Sequence, residues 1–93
     1  MTQTVVLEPV LDLRAAEPLK AALLAARGGD AALDGSAVER LGGLCLQVLL
    51  SALRTWRADG HVLTFVNVSE ALTSQWSAFG ASPSDLSAQD AAQ

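Results

Sequence analysis

The segment LDGSAVERLGGLCLQVLLSALRTW, residues Leu33 to Trp56, decides how the chain folds. It opens like the end of a buried strand at Leu33-Asp34, crosses a short polar loop, and enters a long apolar run through two adjacent glycines, Gly42 and Gly43. From Leu44 to about Ala58, the residues Leu44, Val48, Leu49, Ala52, Leu53 and Trp56 make a wide stripe at helical spacing, and Gly60 supplies a C-terminal stop. Glycine brings no side chain to do chemistry. The pair at the mouth of the most apolar helix therefore either lets something approach the backbone closely or stands where a reactive residue is missing.

Upstream of this segment, Val5 to Leu7 is a short apolar run broken by Pro9, and Val10, Leu11 and Leu13 continue in extended style. They read as a first strand or a pair of strand pieces. Leu19, Leu23 and Leu24, with alanines between, predict a helix from about Ala15 to Arg27 that Gly28-Gly29 stops, with Pro18 in its first turn. Ala31 to Asp34 is a short buried strand. Downstream, His61 to Val66 is β-branched and aromatic, hence a strand, and a helix from about Glu70 to Phe79 follows with Ser69 as its N-cap and Gly80 as its stop. After Leu86 the chain turns polar and alanine-rich, so the expected organisation is one domain over 1–86 and a flexible tail over 87–93. Strands alternating with helices predict an α/β sheet with right-handed crossovers and helices mainly on one face. The loop after the central strand and the start of the next helix then lie at the carboxyl edge of the sheet, where such folds bind their ligands and partners.

Composition excludes several functions. The 93 residues suit a single domain with a modest core. A net charge of −4, with six Lys and Arg spread along the chain, offers little to a phosphate backbone, so nucleic acid is not an expected partner. MTQTVVLEPV has no basic segment ahead of its short apolar run, and no stretch approaches eighteen apolar residues. A soluble, cytoplasmic protein without direct membrane insertion is expected. The one cysteine, Cys45, makes no internal disulfide, which fits a reducing compartment. There is no GxGxxG or P-loop lysine for a nucleotide, and His61, the one histidine, has no Cys or Asp cluster at ligand spacing, so it reads as a solvated strand start and no metal or other cofactor is expected. A hydrolase needs a nucleophile, base and orienter in reach of one another, and one His with one Cys supplies no recognisable set; the chain reads as a non-enzyme.

The order LDLRAAEPLKAAL, then AALDGSAVERLGGLCLQVLL, then DGHVLTFVNVSEALTSQWSAFG resembles the STAS domain, the small fold of bacterial anti-sigma factor antagonists, over roughly Val6 to Gly80. Leu33-Asp34-Gly35-Ser36 matches that family's strand end, and Leu41 to Leu46 falls on the Asp-Ser-Ser-Gly-Leu type motif that opens its central helix. The resemblance implies a mixed β-sheet of about four strands with helices mainly on one face, and a protein-interaction module. Gly43 falls where phosphorylated members carry Ser or Thr, and Gly42 on the usual acidic position. The switch in which a phosphoryl group adds ~1.5 to 2 negative charges to a docking surface is then missing, unless a shifted alignment recruits Ser36. VERLGGLCLQVLLSA, with Trp56 and DGH after it, is similar to short STAS proteins encoded beside chemotaxis genes. That implies a chemotaxis histidine kinase as partner, the alternatives being an anti-sigma factor kinase or a lipid-transport ATPase that takes the chain as an accessory subunit.

The expected partner-binding edge comprises Asp12, Arg14, Ser36, Glu39, Arg40, Gly42, Gly43, Leu44 and Cys45. Plainer readings stand beside these. Gly42-Gly43 serves equally as a tight turn packing helix on sheet, Asp12 as a helix N-cap, and Glu39-Arg40 as an exposed pair contributing ~0 to 1 kcal/mol. Cys45 reads as a small core residue, or, if exposed in the first helical turn, as a thiol of lowered pKa. Trp56 and Trp76 read as core anchors, with an exposed Trp76 as the alternative hot spot. A structural homodimer through an apolar face is a further possibility.

Overall fold

The computed structural model describes residues 2–87. The elements follow as β1 (Gln3–Val6), β2 (Val10–Leu11), α1 (Leu13–Ala26), β3 (Ala31–Asp34), β4 (Arg40–Leu41), α2 (Gly43–Asp59), β5 (Leu63–Val66) and α3 (Glu70–Ala78), with a 3-10 turn at Pro83–Ser87. β1, β3 and β5 form one sheet in that order, and β2 pairs with β4 apart from it; every one of these ladders is parallel. The two crossovers, through α1 and then α2, step in the same direction across the sheet. Right-handed connections then put both helices on one face, where they pack against each other.

The register explains the burial. Val5, Leu33 and Phe65 align across the three strands, as do Gln3, Ala31 and Leu63. This face lies under the helices, and Leu33 and Phe65 have no solvent exposure at all. Side chains alternate along a strand, so Thr4, Val6, Asp34, Thr64 and Val66 point the other way and retain solvent contact, Val6 at 68%. The core continues through Leu19 and Leu23 of α1, Leu46 and Leu49 of α2, and Leu72 of α3. Both tryptophans belong to it. Trp56 is buried and donates from Nε1 to the Gly29 carbonyl at 2.9 Å. Trp76, wholly buried, donates to the Ser82 carbonyl at 2.9 Å and meets Phe65 edge-on, with ring centroids 5.6 Å apart. The core reading of Trp76 therefore holds, and its indole N–H finds its acceptor inside the fold.

The α/β class and the one-sided helix layer are as expected, and α2, β3 and α3 lie close to their expected bounds. α1 differs: it begins at Leu13, because the Asp12 carboxylate accepts from the N–H groups of Arg14 and Ala15 and caps it there. Pro18 consequently sits inside the helix rather than in its first turn, and costs one backbone hydrogen bond. β5 begins at Leu63, not His61. β4 was expected as loop; its two residues become a strand because Val10 and Leu11 lie alongside. Leu86 packs into the core and Ser87 closes the final turn, while the rest of the expected tail, 88–93, lies outside the described residues.

Because Trp76 fills the space between α3 and β5, Trp76→Ala is expected to cost about 3 to 5 kcal/mol by urea denaturation, a large share of what holds a domain of this size together. A loss below about 1 kcal/mol would show that this contact is not part of the core.

Candidate functional site

All three strands of the main sheet end together, with Val6, Asp34 and Val66 in register, so the segments that follow them crowd onto one edge. These segments are stitched by their backbones. The Pro9 carbonyl accepts from Glu39 N at 2.7 Å and from Arg40 N at 3.1 Å, and the Leu11 carbonyl from Gly42 N at 2.7 Å. Gln75, reaching down from α3, clamps the same strand from the other side. Its Oε1 accepts from Leu41 N at 2.6 Å and its Nε2 donates to the Glu39 carbonyl at 2.9 Å. Ser69 caps α3 by accepting from Leu72 N at 3.0 Å while its hydroxyl donates to the Val38 carbonyl at 2.6 Å.

The two glycines divide the roles that the sequence left open. Gly42 is the N-cap of α2, and a Cβ there would stand 3.1 Å from the Leu11 carbonyl oxygen, a backbone atom that would have to give by a few tenths of an ångström. It is the close-approach glycine. Gly43 is exposed in the first helical position, and its nearest neighbour for a Cβ would be Cε1 of Phe79 at an ordinary 3.7 Å. Nothing in the packing requires glycine at 43. Unlike α1 and α3, α2 has no side-chain cap, and it lacks the first-turn acid that Glu70 gives α3. Its first N–H groups and the positive end of its dipole are left to whatever docks there.

The expected edge residues separate by accessibility. Asp12, Arg14, Ser36, Glu39, Arg40, Gly43 and Leu44 are exposed, and Gly42 is half-buried. Asp34, at the strand end, accepts from Ser36 N at 2.9 Å, and this bond holds its carboxyl below the usual carboxylate range. Ser36 thus belongs to a turn rather than to the strand. Cys45 is fully buried and donates from Sγ to the Asp12 carbonyl at 3.3 Å. Burial first, then the carboxylates of Asp12 and Glu8, push its thiol pKa up. Its side chain has no surface to give a partner, and the first-turn thiol of lowered pKa does not occur, because the turn faces inward at that residue. His61 lies beyond the far end of α2, sixteen residues on, roughly 24 Å along the helix axis, so the two groups do not meet. It stands half-buried, 3.8 Å from Asp30. No cluster of three metal-ligating side chains occurs among the described residues.

Sequence reasoning missed Gln75, whose amide carries the clamp, and the exposed apolar side chains of Leu13 and Phe79, 76% and 50% accessible, which join Leu44 on the segments meeting at this edge. Phe79, directly before the stop glycine of α3, offered the one sequence signal: a large apolar residue at a helix end.

A protein-family model described as Mlab, STAS domain matches residues 1–82. The chain therefore belongs to the STAS family, whose domains are generally non-catalytic interaction modules. A search of curated proteins finds no match. Among the described residues no helix is long and apolar enough to cross a membrane.

Gly43→Ala is expected to raise stability by about 0.5 to 1 kcal/mol through reduced freedom of the unfolded chain, whereas Gly42→Ala lowers it by a comparable amount or more as the Leu11 carbonyl is forced away. Thermal melts of the two variants check the opposite signs. Cys45 is expected to resist iodoacetamide at neutral pH until the protein is unfolded in guanidinium; rapid labelling of the native form would contradict its burial.

Proposed function

We propose that this STAS domain is a non-enzymatic docking module that engages a signalling kinase through the edge around the start of α2, with the chemotaxis histidine kinase as its partner in the cytoplasm. The observation that carries the docking reading is the uncapped α2 N-terminus, surrounded by exposed Leu44, Phe79, Glu39 and Arg40 on a backbone frame that hydrogen bonds hold rigid. A carboxylate or phosphate of a partner satisfies the free N–H groups, the apolar side chains bury against it, and the charged pair sets its orientation. The likeness of VERLGGLCLQVLLSA to the short STAS proteins of chemotaxis clusters supports the kinase as partner. With glycine at 43, and no hydroxyl in the first turn of α2, docking proceeds without the phosphorylation that releases other STAS domains.

Affinity capture from native lysate, with mass spectrometry, tests this using wild type and the doubly substituted Glu39→Arg, Leu44→Asp, both at exposed positions. The expected result is recovery of a chemotaxis histidine kinase by wild type and at least tenfold less by the variant. An anti-sigma factor kinase or a transport ATPase as prey retains the edge and replaces the partner; equal recovery by both forms removes the edge.

A further inference from the structure

A second surface lies away from this edge, on the outer side of the helix layer. Between α1 and α2 runs an open groove of about 320 Å³ that starts one turn into α2, at Gln47, and continues toward the far ends of both helices. Leu24, Val48 and Trp56 supply its apolar floor. Leu24 remains 58% exposed there, a large apolar side chain for which the fold provides no cover. Gln47, Ser51 and Thr55, at successive i+4 positions, form an uncharged polar rail on the α2 side.

The α1 side carries the charge. Lys20 and Arg27 line it, and no carboxylate among the described residues does, in a chain whose net charge is −4. Arg27 is fixed at the far end by Asp59 of α2, with Nε to Oδ2 at 2.8 Å and Nη2 to Oδ1 at 3.1 Å, which leaves guanidinium N–H donors still free. Lys20 makes no ion pair among the described residues. From Lys20 to Arg27 and from Gln47 to Thr55 the walls run for roughly 11 to 12 Å, about two helical turns.

We propose that this groove docks an amphipathic helix of a partner protein whose apolar seam is flanked by acidic residues. Two walls that are themselves helices, an apolar floor about two turns long and a rim whose unmatched charge is the Lys20 ammonium, Arg27 being paired with Asp59, select that occupant. Its seam at i, i+3, i+4 and i+7 lies along Leu24, Val48 and Trp56, and its Glu or Asp residues reach Lys20 and the free donors of Arg27. The groove and the α2 N-terminal edge are separate surfaces, so one can fail without the other.

The test uses a synthetic two-to-three-turn helical peptide with a leucine seam flanked by glutamates, a second peptide with the same seam flanked by lysines, and dodecanoate as a small anionic amphiphile. Each is titrated into the full chain while backbone amides and the Trp56 indole N–H are followed by NMR. The expected result is binding of the glutamate peptide about tenfold tighter than the lysine peptide at low salt, with shifts confined to the groove and a preference that fades as salt rises. Lys20→Glu, at an exposed position, weakens the glutamate peptide about fivefold. Leu24→Glu weakens both peptides while the spectrum stays folded. The proposal is overturned by equal affinity for the two peptides, by indifference to Lys20→Glu, by shifts elsewhere on the protein, by binding of dodecanoate without the glutamate peptide, or by a groove closed through concentration-dependent self-association.

Discussion

One close approach organises the candidate edge: the N–H of Gly42 reaches the Leu11 carbonyl at 2.7 Å, in a space that a Cβ would crowd. This contact extends the two-residue ladder between β2 and β4 and sets the first turn of α2 beside the start of α1. The neighbouring features follow from it. Cys45 is turned inward against the Asp12 carbonyl, Leu41 is buried where Gln75 can take its N–H, and Gly43 is left outside. A side chain at 42 opposes all of these at once, whereas one at 43 meets ordinary van der Waals space.

The same geometry gives the surface its chemistry. With glycine as an N-cap held this near another backbone, no Ser, Thr or Asp side chain satisfies the first N–H groups of the helix, so α2 carries its positive end uncompensated. The edge stays firm because its loops are bonded to one another, at Pro9 with Glu39 and Arg40, and at Gln75 with Glu39 and Leu41. A rigid, open, partly apolar edge suits recognition of a protein better than turnover of a small molecule. Cys45 and His61, the one cysteine and the one histidine, stand at opposite ends of α2, and burial pushes the thiol pKa up.

Much of the fold was legible in the sequence, because its elements are set by local signals. The helix carrying the stripe to Trp56, the stop at Gly60 and the cap at Ser69 each depend on residues within a turn or two and lie where those residues predict, although Leu44 is left exposed and Cys45 and Leu46 are buried in its place. β4 was not legible. A two-residue strand has no periodicity, and Arg40-Leu41 becomes one through a partner thirty residues away. The leucine spacing alone starts α1 near Ala15, two residues late, and the Asp12 cap, one of the two readings of that residue, moves the start to Leu13. At the site, the sequence placed the loop, the glycines and the charged pair on one edge. It did not say which glycine was constrained, nor that Cys45 faces inward, since both depend on distances between segments far apart in the chain. Gln75 was hidden for the same reason: an amide on a helix gives no sign of the strand it will clamp.

The most direct test of the account is hydrogen–deuterium exchange on the protein alone and in complex with its captured partner. Added protection confined to the segments around residues 12–14, 36–44 and 79 is the result the account predicts. Protection on the outer face of the sheet, at Val6, Thr64 and Val66, with exchange at the start of α2 unchanged, would contradict it.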